Sequence, residues 1–264
     1  MNWEGLILDE ETGRFTLRFA GGECRDLYAQ VKLQDGTCLK TTDMKLHKKR
    51  ETEVTTEIGS CRRAEFVHEG GGRIQLIQQF DLYEEYMTIR LTAKSPDTIT
   101  TNCMTPVCGH GEQPVLSMEG EEIRFLSAPF DNDKWAKFVD YPVKYSSMSY
   151  EFTVIHPKEA ASGLVMGSVD HDCWKTGFSA KTDKDGSIVC LEAISGVATE
   201  DTRDLDGARH GYLTGKEISS ARIFLGWFKD FQSGLAVYGK ANAAIRPALP
   251  WNGPVIFGWN SWAA

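Results

Sequence analysis

Asp131-Asn132-Asp133 with Trp135 is the group best suited to grip a polyhydroxylated ligand. Two carboxylates flanking an amide offer acceptors for hydroxyls, and the indole beside them offers a stacking face. The group follows Ser127-Ala128-Pro129-Phe130, which reads as a strand end and turn, so it is expected on an exposed loop. The same residue types also build Asx turns that bond their own backbone. Asp131 and Asp133, two apart on a turn, cannot easily face each other across a glycosidic bond, so they are not read as an acid/base pair. Trp259 and Trp262 stand three apart in Phe257-Gly258-Trp259-Asn260-Ser261-Trp262. They have no obvious part in closing a finished domain and read as an active-site floor whose remaining walls are absent. An indole suits that use because an aromatic plane packs on a ligand face and excludes water, while simple core packing is the plainer alternative.

Other clusters carry less chemistry. Asp170-His171-Asp172 follows an apolar run and precedes Trp174, so it reads as a turn; a metal site would want more ligands at fixed spacing. Cys103, Cys108 and His110 have the look of an incomplete zinc site. No second ligand pair follows at suitable spacing, so free or buried thiols are expected and no metal. Gly70-Gly71-Gly72 sits between strands with no helix after it to lend a dipole, so it is no phosphate loop. His47, His68, His156 and His210 carry no pattern.

The elements that must position these residues read as strands. Ile74, Leu76, Phe80 and Leu82 alternate with Gln75, Gln79 and Asp81, and Met87, Ile89, Leu91 and Ala93 alternate with Thr88, Arg90 and Thr92. Period two in adjacent segments, with Glu84-Glu85 between, predicts a hairpin with one buried face. Phe15–Phe19, Val31–Leu33, Glu151–Ile155, Gly163–Val169, Ser187–Leu191 and Ala221–Trp227 predict further strands. Gly21-Gly22, Asp35-Gly36, Ser95-Pro96-Asp97 and Asp185-Gly186 are expected turns. Many short strands with few helical periods predict an all-β fold, a large two-sheet antiparallel β-sandwich. One helix is expected over Phe231–Arg246: Asp230 can cap it, Phe231, Leu235, Tyr238 and Ile245 share a stripe, and Pro247 stops it. Pro250-Trp251-Asn252-Gly253-Pro254 then reads as a stiff linker. The expected organisation is a sandwich over 1–229, helix and linker over 230–254, and a new apolar strand over 255–264.

Composition narrows the classes. The 264 residues have a formal charge of −8, 41% hydrophobic and 25% charged content, which is ordinary for a globular chain. Lys45–Arg50 is the one basic cluster and reads as a solvated turn, so nucleic acid is not an expected partner. No stretch approaches the ~18–20 apolar residues of a membrane helix, so no membrane partner is expected. The first residues lack the basic and apolar regions of a signal peptide. Seven cysteines, at 24, 38, 61, 103, 108, 173 and 190, are an odd set without paired spacing, which points to reduced thiols and the cytoplasm.

Phe257-Gly258-Trp259-Asn260-Ser261-Trp262 resembles the opening barrel strand of α-galactosidase-type glycoside hydrolases of families 27 and 36. Three further strings resemble bacterial family 36 members: Pro129-Phe130-Asp131-Asn132-Asp133-Lys134-Trp135, Gly167–Gly177, and Tyr238-Gly239-Lys240-Ala241-Asn242. The likeness covers roughly residues 120–264, with the first hundred residues alike only in strand layout. It implies a galactose mutarotase-like β-supersandwich before a (β/α)₈ barrel of which Val255 onward is the first strand. It also implies that Trp262 sits beside the sugar and that the Asp131–Trp135 loop projects toward the barrel. The retaining nucleophile and acid/base would lie on later barrel strands, beyond Ala264. The implied ligand is an α-galactoside or related oligosaccharide, with no cofactor. Self-association is a natural outlet for an apolar segment, Val255–Trp262, left without a barrel. Two other readings stand beside this one. A carbohydrate-binding module could use Trp135, Trp174 and Trp227 as an exposed face, whereas a mutarotase- or lyase-like enzyme would need a converging His/Glu or Tyr/His set, and none has a convincing spacing.

Overall fold

The computed structural model describes residues 3–70, 72–130, 137–144, 146–199, 202 and 210–254. The first third forms β1 (Trp3–Asp9), β2 (Arg14–Phe19), β3 (Gly22–Leu33), β4 (Cys38–Lys40), β5 (Lys45–Thr55), β6 (Ser60–Glu69) and β7 (Gln75–Leu82). A 24-residue strand, β8 (Met87–His110), follows, then β9 (Leu116–Met118), β10 (Ile123–Ser127), β11 (Val139–Pro142) and β12 (Ser147–Tyr150). The last part holds β13 (Phe152–Pro157), β14 (Gly163–Ser168), β15 (Thr176–Thr182), β16 (Ile188–Ser195), β17 (Leu213–Ser219), β18 (Ile223–Phe228) and helix α1 (Phe231–Ile245). The strands join into one antiparallel network, and the fold is the expected all-β one with a C-terminal helix.

β8 makes that network two layers. Its first part, Met87–Lys94, pairs with β7 on one side and with β18 and β17 on the other. Its second part pairs with β3 and β16. One core lies between the layers: Phe80, Ile89, Leu164, Met166, Ile223 and Leu225 from the first meet Phe15, Leu17, Val107, Phe178 and Leu191 from the second. Phe15 meets Phe80 edge-on at 5.1 Å, and Phe19 stacks on Trp227 at 4.9 Å. β14 and β18 are buried along their whole length because α1 covers their other face through Val165, Phe224, Phe228 and Tyr238. That double cover is why both read as continuous apolar runs rather than alternating ones.

The β7–β8 hairpin stands as read, with Leu82 opposite Met87. Asp81 is an exception on its polar face. It is 1% exposed and bound twice by Arg63, at 2.6 and 2.8 Å, so pairing rather than solvent satisfies it. Two expected turns are strands instead. Lys45–Arg50 begins β5, which pairs only with β6 among the described residues; charge along an edge strand blocks further strand addition. Ser95-Pro96-Asp97 lies within β8, where residues 95–98 face the single Lys216 of β17. It is a bulge, which tolerates a proline without an N–H and lets one strand pass between layers. α1 begins and ends within a residue of expectation, with Asp230 accepting from the N–H groups of Gln232 and Ser233. After it Leu249 and Trp251 stand exposed, and the Trp251 indole donates to the Pro254 carbonyl at 3.1 Å. The expected strand from Val255 lies outside the described residues.

Candidate functional site

Asp131, Asn132, Asp133, Trp135 and Trp262 all lie outside the described residues. Their frame does not. Before residue 131, Phe130 packs edge-on against Tyr150 at 5.3 Å, and the Lys175 ammonium sits 5.9 Å from its ring. Tyr150 is buried, and its hydroxyl lies 2.7 Å from the Thr199 hydroxyl. After residue 136, Phe138 stacks on Phe152 at 6.1 Å, and Phe152 lies 6.0 Å from Tyr238 of α1. Phe138 therefore lies on the side of the first layer that α1 covers.

Asp170-His171-Asp172 lies outside any strand, with a bend at Asp172, and its side chains reach β8 and Arg222, Glu151 and α1, and Arg246 in turn. Asp170 accepts from the Arg222 guanidinium at 2.7 and 3.0 Å, from the Arg222 backbone N–H at 3.0 Å and from Arg90 at 2.6 Å. Burial alone would raise the Asp170 carboxyl pKa, but Arg222 and then Arg90 outweigh it, and the pKa is lowered. Arg222 also holds Glu57 at 3.2 Å. His171 bridges Glu151, at 2.8 Å through Nδ1, and Asn242 of α1, at 2.7 Å through Nε2. The Glu151 carboxylate is the main cause of the raised His171 pKa. Asp172 pairs with Arg246 just past the helix.

Glu151 itself has φ of 65°, a left-handed conformation that costs a residue with a Cβ. Its backbone is held by Thr176 and Ser168, at 3.0 and 2.8 Å, and its carbonyl accepts from the Tyr238 hydroxyl at 3.3 Å. The strain places its carboxylate beside His171. Local sequence could not reveal these pairings, because Arg222 and Arg90 lie 52 and 80 positions from Asp170.

These groups border a cleft of about 550 Å³ lined by Glu57, Arg90, Asp170, Trp174, Arg222 and Arg246. An indole beside charged groups suits a polar ligand such as a sugar. The carboxylates of Glu57, Asp170 and Asp172 are committed to arginines, so none stands ready as a general acid. Trp174 is half-buried and donates to the Ser219 carbonyl at 2.8 Å, while Trp227 is 4% exposed in the core. Trp227 therefore cannot serve in an exposed aromatic face.

No family model and no curated protein sequence matches the chain. Solved structures do. A glycoside hydrolase family 97 enzyme from Pseudoalteromonas sp. strain K8 superposes at a TM-score of 0.58 with 6% identity, over 85% of this chain and 34% of that one. The family 36 α-galactosidase AgaB from Geobacillus stearothermophilus superposes at 0.54 with 10% identity, over 86% and 41%. The α-N-acetylgalactosaminidase NagBb from Bifidobacterium bifidum superposes at 0.52 with 10% identity, over 93% and 39%. The chain shares a β-supersandwich fold with these glycoside hydrolases. It spans about two fifths or less of their length, and the likeness runs across families 36 and 97 without singling out one.

Proposed function

We propose that this chain is the non-catalytic sandwich domain of an α-galactosidase-like retaining glycoside hydrolase, packing on a barrel and lending the Asp131–Trp135 segment to the rim of its sugar pocket. The observation that carries this reading is where apolar surface is left open. Of the seven exposed large hydrophobic residues among the described ones, five are Phe130, Phe138, Val139, Leu249 and Trp251. They flank the candidate rim segment and the linker after α1, the two places where a barrel would meet this domain. Scattered apolar residues need no explanation, but ones gathered at two such places fit an interface. The fold likeness to three glycoside hydrolases adds support, and the resemblance of Phe257–Trp262 to a barrel strand favours family 36 among them. The family 97 enzyme has been solved with acarbose and with panose, and NagBb with GalNAc, so an α-glycoside is the ligand class in this reading.

In this reading the chain binds and shapes, while bond cleavage belongs to barrel carboxylates. The test is turnover of nitrophenyl α-galactoside and α-glucoside by the purified 264-residue chain. No release above blank is expected. Turnover that survives repurification and disappears in Asp131→Ala or Asp133→Ala would overturn the assignment.

A further inference from the structure

The ligand pair that Cys108 and His110 lack in sequence is supplied by the neighbouring strand. β8 and β16 run antiparallel with His110 opposite Cys190 and Cys108 opposite Glu192. Residues two apart on a strand share a face, and register partners share it too, so four donor side chains form a two-by-two block. Val107, Leu191 and Ala193, at the alternate positions, enter the central core, which puts the block on the outer face of the second layer.

The donor atoms converge. His110 Nε2 lies 2.9 Å from Glu192 Oε1, and Cys108 Sγ lies 3.8 Å from the same oxygen. Cys190 Sγ is 3.9 Å from His110 Nε2 and 3.9 Å from Glu192 Oε2. The ligand atoms of Cys108, His110 and Glu192 all lie within 4.8 Å of one another. A tetrahedral zinc with bonds of about 2.0–2.3 Å holds its donors roughly 3.3–3.8 Å apart, so small side-chain shifts suffice for these three, while Cys190, outside that set, must turn further inward to complete it. Cys108 and Cys190 are buried, Glu192 is half-buried, and the His110 side chain is 45% exposed, which leaves one open route for an ion. Tyr28 on β3 is the register partner of Cys108 on the side away from β16. Cys103, on the same strand as Cys108, faces Lys32 of β3 rather than β16 and is not part of the block.

We propose that Cys108, His110, Cys190 and Glu192 bind one zinc ion that ties β8 to β16. Two thiolates and an imidazole select a borderline or soft ion over calcium or magnesium, which take oxygen donors. Four protein donors close the coordination shell, so the role is structural rather than catalytic. Binding forms two Zn–S bonds, one Zn–N bond and one Zn–O bond; the two thiol protons pass to buffer, and the imidazole binds neutral through Nε2 with its proton on Nδ1. Without metal, the Glu192 carboxylate accepts from His110 and both thiols, and that hydrogen-bonded set is the apo form.

The test titrates the full, reduced chain with Co²⁺ and then displaces it with Zn²⁺. Expected are one equivalent bound, thiolate-to-cobalt charge-transfer absorption that Zn²⁺ abolishes, and a melting temperature that rises with Zn²⁺. Cys108→Ser, Cys190→Ser and Glu192→Gln should each weaken binding about tenfold or more, since even outer partners of metal ligands are worth that much. Cys103→Ser should leave it unchanged. If a buried cysteine variant fails to fold, His110→Gln at the exposed position decides, with the same loss expected. Absence of charge-transfer absorption, unchanged Co²⁺ affinity in His110→Gln, or weakened binding in Cys103→Ser overturns the proposal. So does a Cys108–Cys190 disulfide that forms in air and excludes metal.

Discussion

Asp170 answers two arginines and a backbone N–H at once, and Arg222, only 9% exposed, has Glu57 as its other carboxylate partner among the described residues. Asp170→Asn would leave Arg222 and Arg90 without their shared carboxylate. A cost of about 3 kcal/mol is expected, because removing one partner strands a buried charge. Chemical denaturation of the variant checks this; a loss below about 1 kcal/mol would mean that water already screens the pair. The two shifted groups here act at opposite ends of the pH scale. The lowered Asp170 pKa contributes stability that is complete above about 3.9 and lost as pH falls through the folded value. The raised His171 pKa contributes stability that is complete below about 6.5 and lost as pH rises through the folded value. The melting temperatures of wild type and His171→Gln should therefore differ most on the acid side and converge on the alkaline side. A gap that widens with pH would refute the His171–Glu151 pair as its source.

At the scale of elements, α1 is seated by close approach rather than by bulk. A Cβ added at Gly167 of β14 would sit 2.5 Å from the Tyr238 ring, and one at Gly234 of α1 would sit 2.4 Å from the Phe228 ring. Gly167→Val should cost about 1–3 kcal/mol by forcing the helix off the sheet. Tyr238→Phe keeps the ring but leaves the Ser168 carbonyl without its 2.7 Å donor, so about 1–2 kcal/mol is expected. Tyr238→Ala should cost about 3–4 kcal/mol, and the three losses together, read by denaturation, separate packing from hydrogen bonding. This helix was legible because its signals are local: a capping aspartate, a stripe and a stopping proline. β5 was not, because its charges suit an edge strand and a turn equally well until its partner is known. The β8 bulge was hidden for the same reason, since Ser95-Pro96-Asp97 is turn chemistry until register with β17 shows the strand continuing. The Cys190–Glu192 half of the metal block escaped likewise, since spacing along one strand says nothing of the next.

At the scale of the whole molecule, five of the seven exposed large hydrophobic residues among the described ones fall at 130–139 and 249–251, where the proposed reading seats a barrel. Phe138, Phe152 and Tyr238 form a chain of rings from the end of the candidate rim segment to α1, and α1 leads to the linker. In the proposed reading, a barrel continuing from that linker would begin on the side where Phe138 stands. Barrel active sites gather at the C-terminal ends of strands, where Trp262 would stand if Val255–Trp259 is the first of them. In a protein that joins this chain to its barrel, Asp131→Ala or Asp133→Ala is then expected to lower kcat/KM about tenfold or more, the loss for a charged hydrogen bond to a substrate hydroxyl. The same substitutions should leave the melting temperature of the 264-residue chain nearly unmoved. Phe138→Ala gives the complementary result: its ring is 66% exposed, so the isolated chain should lose little stability, while the joined protein should lose stability where that ring is covered. Unchanged kinetics in both aspartate variants would remove the rim role. Unchanged stability of the joined Phe138→Ala protein would place the barrel on another face.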